Sequence, residues 1–393
     1  MTRSRDFSKI LGRSVANNTF TTTGSISASG GVTAHDYTAV ADFVDAEANA
    51  AALEDGSLHY LTKLRKMYVW DDSDASFYLL GQQDSALERP SGFSIQGEAF
   101  GYRHGGFSSP PSSYAQDILK FSFTSDGNAS RVGDMAIFRS FHTAVSSASS
   151  GYIVGGKVAA TGQYGGDVTK FSFSSDGDAT DVTDVASSVT GGAGGTMTAD
   201  TGYVTRGTTT STLAFASDAG GSDLSDTTTS SRSNGAGSMS TTHSYYAGGG
   251  GGAPGSSNVI DKFPFSSPSS NSTDVGDIVT SRGKVAGHSS TTHGYISGGN
   301  TGGPGNTSGR NQIDKFSFSS DGNATDVGDL TAARYDPEGT MSTASGYSSG
   351  GRNSTSYYNI IDKFPFASDG NSTDVGDLLH NARESNSRHG NQV

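Results

Sequence analysis

Four residue types in this chain can do chemistry, and their spacing decides what each of them does. Nine histidines are available as acid/base groups or metal ligands. They are dispersed: His35, His59, His104, His142, His243, His288, His293, His380 and His389. Four of them, His142, His243, His288 and His293, fall between a recurring Arg and a recurring Tyr strand, but at differing offsets. No ligand spacing emerges, so solvated or inner-strand positions are expected. Turns reading SSDGNATD put Asp321, Asn323 and Asp326 in an order that suits Ca²⁺, which takes about six to eight hard oxygens. The spacing departs from D-x-[DN]-x-[DN]-G, and a sister turn, SSPSSNSTD from Ser266, lacks the first Asp, so backbone-bonding turn chemistry is expected instead. The same reading covers Asn128, Asn271, Asn323 and Asn371, which match N-x-[ST]. The chain has no cysteine, which excludes thiolate zinc sites, cysteine nucleophiles and disulfide scaffolds together. No cofactor and no metal are expected.

Tyrosine and arginine remain, and they suit recognition better than catalysis. Tyr114, Tyr164, Arg310, Arg352, Tyr357 and Tyr358 stand in segments of differing length and composition, such as NTGGPGNTSGRNQI from Asn300 and RNSTSYYNII from Arg352. Varied loops on a rigid scaffold are where binding concentrates, and Tyr and Arg are enriched at binding hot spots. The competing reading is that these are ordinary loop residues.

The scaffold is a repeat. A Gly-Tyr-x-x-Gly-Gly element recurs at Gly101, Gly151, Gly202, Ser244, Gly294 and Gly346, each followed by a strand-like KFSF or KFPF, degraded to TLAF at Thr212. Lys120 to Lys363 spans 243 residues in five steps, a mean period near 49. A basic residue stands twelve positions before most of the Gly-Tyr pairs, at Arg89, Arg139, Arg232, Arg282 and Arg334, with Thr190 in the degraded unit. In IDKFSF, Asp314, Phe316 and Phe318 share one face and Ile313, Lys315 and Ser317 the other, as a strand requires. The Asp-Gly at Asp321 closes a hairpin into VGDL, so each unit reads as four short strands. The recurring Arg is assigned to architecture, with the Asp of VGDL as its expected partner, for example Asp329 with Arg334.

One such sheet cannot bury both faces. Stacking neighbours around an axis solves this, with the doubled Phe as aromatic layers and Gly admitting close backbones near a crowded centre. The order Arg, Gly-Tyr-x-x-Gly-Gly, Asp-Lys-Phe resembles the kelch-type β-propeller blade, over about residues 89 to 380. Val327 and Val375 stand where that family carries Trp. The resemblance implies an all-β propeller of six four-stranded blades. The alternative is seven, with a partial blade from residues 66–80 completed by the C-terminal ESNSRHGNQV. Galactose oxidase shares this resemblance, but its radical copper site needs a Tyr crosslinked to Cys.

The first 88 residues differ in kind. MTRSRDFSKIL, the Thr/Ser/Gly stretch from Asn17 to Thr33 and KMYVWDDSDASFYLL from Lys66 to Leu80 resemble leading segments of tail and fibre proteins of tailed phages, especially marine ones. The division expected is an extended attachment segment over 1–34, a short helix over 35–57, a β-hairpin connector over 58–88, the propeller over 89–382 and a tail over 383–393. Asp36 to Leu53 carries the helical propensity, with Val40, Phe43 and Val44 near one face. A net charge of −13 argues against nucleic acid and anionic membranes as partners. No apolar run reaches the roughly 20 residues that span a bilayer, and no apolar segment follows the basic start, so neither membrane insertion nor a secretory signal is expected.

These readings combine into an expectation: a non-enzymatic virion protein, a homo-oligomer, attached to other virion proteins through its N-terminal segment. Its propeller would bind a host surface glycan or a neighbouring virion protein. Two other classes stay open: a polysaccharide-degrading propeller enzyme and a cellular kelch-type adaptor.

Overall fold

The computed structural model describes residues 95–393 except 109–112, 190–191, 225–227, 253–254, 303–307, 384–390 and Val393, together with six short strands before residue 80. The chain forms two units, Met1–Ser91 and Gly92–Val393. In the first, Lys66–Asp71 pairs antiparallel with Ser76–Leu79, placing Trp70 opposite Phe77, so the expected hairpin is present. Thr38–Val40, inside the stretch read as helix, is instead a strand running parallel to Leu58–Leu61. Thr38 and Val40 are β-branched, which favours an extended backbone at these positions. The rest of the expected helix, and the 1–34 segment apart from the pair Asn18–Phe20 and Ile26–Ala28, lie outside the described residues.

The second unit is a β-propeller of six four-stranded antiparallel blades. Blade 5 shows the plan: inner strand Ala286–Ser289, second strand His293–Ser297, third strand Arg310–Ser317, outer strand Thr325–Arg334. The other inner strands are Thr143–Ser146 (blade 2), Gly194–Met197 (blade 3), Ala236–Met239 (blade 4) and Glu338–Met341 (blade 6). Blade 1 is assembled from both ends of the unit. Phe100–Ser108, Ser113–Ser122 and Ser130–Asp134 supply three strands, and Asn391–Gln392 supplies the inner one, pairing with Tyr102 and Gly101.

The C-terminal residues are therefore the missing start of the first repeat rather than a tail, and the six-blade count stands. Arg89, expected to open that repeat, lies outside the described residues.

Two devices hold the blades together. Each Gly-Tyr tyrosine packs on the phenylalanines of the next blade: Tyr245 lies 4.8 Å from Phe318, Tyr295 4.8 Å from Phe366 and Tyr347 4.7 Å from Phe123. The last of these contacts closes the ring from blade 6 to blade 1. The two phenylalanines of one blade meet edge-on, as Phe316 and Phe318 do at 5.8 Å, an arrangement their quadrupoles favour.

At the axis the inner strands touch through backbone. A Cβ on Gly287 would stand 2.0 Å from the carbonyl oxygen of Gly237, and one on Gly237 2.5 Å from that of Gly195. Gly287→Ala is therefore expected to destabilise the protein by about 1–3 kcal/mol, as overpacking does. Equilibrium urea unfolding checks this.

The strand order gives the ring two different faces. Inner-to-second turns and Asp-Gly turns lie on one face, the turn face. The varied second-to-third loops and the crossovers carrying Arg lie on the other, the loop face. The chain enters at the axis on the turn face. There the Gly97 amide donates to the Met341 carbonyl and the Gln96 amide group to the Ser289 carbonyl, while Ile95 packs on the core containing Met197, Met239 and Met341.

Candidate functional site

The recurring charges must be assigned before any of them can be counted as functional. Arg232, Arg282 and Arg334 are buried and pair with Asp261, Asp314 and Asp362 at 2.6, 2.8 and 2.8 Å. The partner is thus the Asp of the Asp-Lys-Phe that follows each Arg in sequence, not the Asp of VGDL. The Asp329 amide instead donates to the Asn371 side-chain oxygen. Extended strands put Asp362 beside the crossover, where Arg334 also donates to the Ser348 carbonyl, and this fixes the joint between blades 5 and 6. Blade 3 lacks both members, with Thr190 at the Arg position and Ser211 at the Asp position. Arg139 keeps its backbone contacts, to Gly155 and Asp167 carbonyls, but forms no ion pair among the described residues.

The Asp-Gly turns are accounted for in the same way. Lys120, Lys170, Lys262, Lys315 and Lys363 each reach the turn Asp of the following blade, namely Asp176, Asp218, Asp321, Asp369 and Asp126. The one junction without this pair, blade 3 to blade 4, has lost both partners, since Thr212 replaces Lys and the Ser266 turn lacks its Asp. The turn Asn residues cap the preceding blade: Asn323 accepts from the Asp277 amide and Asn128 from the Asp377 amide. The local backbone bonding expected of these turns is made by Asp326, which accepts the Gly328 amide, whereas Asp321 and Asn323 reach across to the preceding blade. Such partly exposed pairs contribute little individually. Lys315→Ala is expected to lower stability by less than about 1 kcal/mol by the same unfolding assay.

What departs from sixfold regularity lies on the loop face. Two residues after the unit Arg, the backbone is left-handed at Phe141, Asn234, Lys284 and Asp336, with φ of 61, 62, 58 and 61°. Successive members are hydrogen-bonded: the Lys284 amide donates to the Asn234 carbonyl at 2.7 Å and the Asp336 amide to the Lys284 carbonyl at 2.9 Å. A bulky residue such as Phe141 seldom adopts this conformation, and strain of this kind collects at functional positions. The rim carries four different side chains on one repeated backbone.

Blade 6 adds most to this rim. The buried Tyr335 ring is approached by both the Lys284 ammonium, at 4.9 Å, and the Arg352 guanidinium, at 4.8 Å. Arg352 also reaches Asp336 at 3.3 Å. Asn353 donates to the Tyr358 hydroxyl at 2.7 Å and folds the loop by accepting the Thr355 and Ser356 amides. Arg352, Tyr357 and Tyr358 are thus brought together, while Arg310 on blade 5 is exposed, opposite Arg334 in register and donating to the Thr301 hydroxyl. Tyr164 lies apart, its ring 6.1 Å from Phe141, and Tyr114 starts the third strand of blade 1 opposite Phe107. Of the six candidates the structure thus gathers Arg352, Tyr357 and Tyr358 on blade 6, with Arg310, Tyr114 and Tyr164 on blades 5, 1 and 2.

Sequence reasoning missed Phe141, Asn234, Lys284, Tyr335 and Asp336. The usable signal was a position at fixed distance from Arg whose residue type changes in every unit. The histidines meet the expectation in part: His104 and His142 are fully buried on a second strand and a crossover, neither solvated nor in an inner strand. His288 is buried in an inner strand, while His243 and His293 open second strands beside Thr242 and Thr292. No known protein-family model and no curated protein matches this sequence.

Proposed function

We propose that this chain is a non-enzymatic binding component of a virion, held by its N-terminal segment, whose kelch-like propeller engages a host surface glycan with its loop face. One observation carries the reading: the turn face repeats the same Lys–Asp pair at five of six blade junctions, whereas the left-handed loop-face position carries a different residue in each of the four blades that show it. The half-exposed Tyr357 and Tyr358 beside Arg352 are suited to stacking on sugar rings while hydrogen-bonding their hydroxyls, and the buried Tyr335 and Asp336 position Arg352. The virion assignment rests on the resemblance of residues 1–33 and 66–80 to phage tail and fibre segments.

Co-sedimentation of the purified protein with host surface polysaccharide tests the recognition claim. Binding should fall at least tenfold in Arg352→Ala combined with Tyr358→Ala and stay unchanged in Lys315→Ala. Absence of binding by the unaltered protein, or equal loss in both variants, overturns it. Labelling that places the protein off the particle overturns the virion assignment separately. A drop in polymer viscosity on adding the protein would favour the depolymerase reading.

A further inference from the structure

Arg139 is the one described repeat arginine that has kept its place but lost its carboxylate. In blades 4, 5 and 6 the residue paired with the position after Gly-Tyr is Asp261, Asp314 or Asp362. In blade 2 the same register position, opposite Ile153, is Thr169. Arg139 is nonetheless fully buried, and its Nε and Nη2 have no hydrogen-bond partner, nor does the Thr169 hydroxyl. Blade 3 resolved the same problem by losing the arginine as well. Blade 2 did not.

The surroundings add further unused donors. His142 follows on the same crossover, and His104 faces it from the second strand of blade 1, with ring centroids 6.1 Å apart. Both are fully buried, and none of their four ring nitrogens has a hydrogen-bond partner. Arg103, beside His104, is 2% exposed and faces Glu338 at 3.8 Å, with Nε and Nη2 unpartnered. Glu338 also lies 3.3 Å from His104. Arg103 and Arg139 both act electrostatically on His142, so the groups share one region.

Arg103 has Glu338 close by, whereas Arg139 has no carboxylate at ion-pair distance, and Asp167, Asp181 and Asp184 act on it only from farther away. A buried charge without a counter-charge is strongly unfavourable. Nitrogen donors predominate, the site is sealed from solvent, and among the described residues no three His, Asp or Glu groups are placed to hold a metal ion. These features select a small anion with no further polar groups of its own.

We propose that a halide-sized inorganic anion is lodged between blades 1 and 2, held by Arg139 with His142 and His104, in the place the repeat elsewhere fills with aspartate. Thr169→Asp restores that aspartate within the chain and leaves the anion no role.

The test uses the full chain and bromide as probe. Crystals grown in sodium bromide should show an anomalous scattering peak beside Arg139, and Thr169→Asp should abolish it. In solution, replacing gluconate by chloride at constant ionic strength should raise the thermal midpoint of the unaltered protein by several degrees and leave Thr169→Asp unmoved. Should Thr169→Asp fail to fold, Arg139→Met serves the same purpose by deleting the charge. No peak, a water in its place, or equal chloride responses in protein and variant overturn the proposal.

Discussion

Asp362→Ala is expected to cost about 3–5 kcal/mol of folding stability, the range for removing one partner of a buried ion pair. Asp362 and Arg334 are both inaccessible to solvent and meet at 2.8 Å. The carboxylate also accepts the Thr331 amide at 3.0 Å and the Thr331 hydroxyl at 2.7 Å. Truncation therefore strands a guanidinium and two donors at once. Urea unfolding should show a lowered midpoint with an unchanged slope, because the area exposed on unfolding stays nearly the same. Asp329→Ala provides the contrast. Its carboxylate makes no contact with Arg334, and a change within about 0.5 kcal/mol is expected. Equal losses in the two variants would refute the assignment of the pair.

The second large effect is acid sensitivity. His288 is fully buried, its Nδ1–H donates to the Thr340 carbonyl at 3.0 Å, and its Nε2 stands 2.9 Å from the Ser297 hydroxyl. Burial pushes its pKa down to about 4, against an ordinary value of 6.5, and the Thr340 contact offsets only part of that. The unfolded chain then binds the proton more tightly than the folded one. Stability from this group is complete above pH 6.5 and is lost as pH falls from there toward 4, by about 3 kcal/mol in all. Denaturant midpoints at pH 7 and pH 4.5 should differ in that sense, and His288→Asn should flatten the dependence. A residual slope of the same sign should persist from His142, lowered first by burial and then by its neighbours His104, Arg139 and Arg103. A protein equally stable at both pH values would contradict the buried placement.

The repeat, the strand order and the aromatic layers could all be read in one dimension, because each is written within a single unit. Tyr245, Phe316 and Phe318 announce themselves by type and spacing. Partner choice could not be read in this way. Arg334 has carboxylates on both sides in sequence, and only the crossover geometry selects Asp362 over Asp329. The clasp of Asn391–Gln392 onto Gly101 and Tyr102 joins residues nearly a whole propeller apart, and no local pattern marks it. The meeting of His104, His142 and Glu338 draws on blades 1, 2 and 6, so it exists only once the circle is closed. The loop-face candidates were legible as variable positions, while the meeting of Arg352, Tyr357 and Tyr358 depended on how their loop folds.

That clasp also determines how the protein bears load. A pull on the leading chain reaches the strand Phe100–Ser108, which is gripped on one side by Ser113–Ser122 and on the other by residues from the far end of the polypeptide, with a further hold where Ala382 and Arg383 meet Ser108 and Phe107. Traction is thereby divided between the first blade and the last, and whole rows of hydrogen bonds must slide together instead of breaking singly.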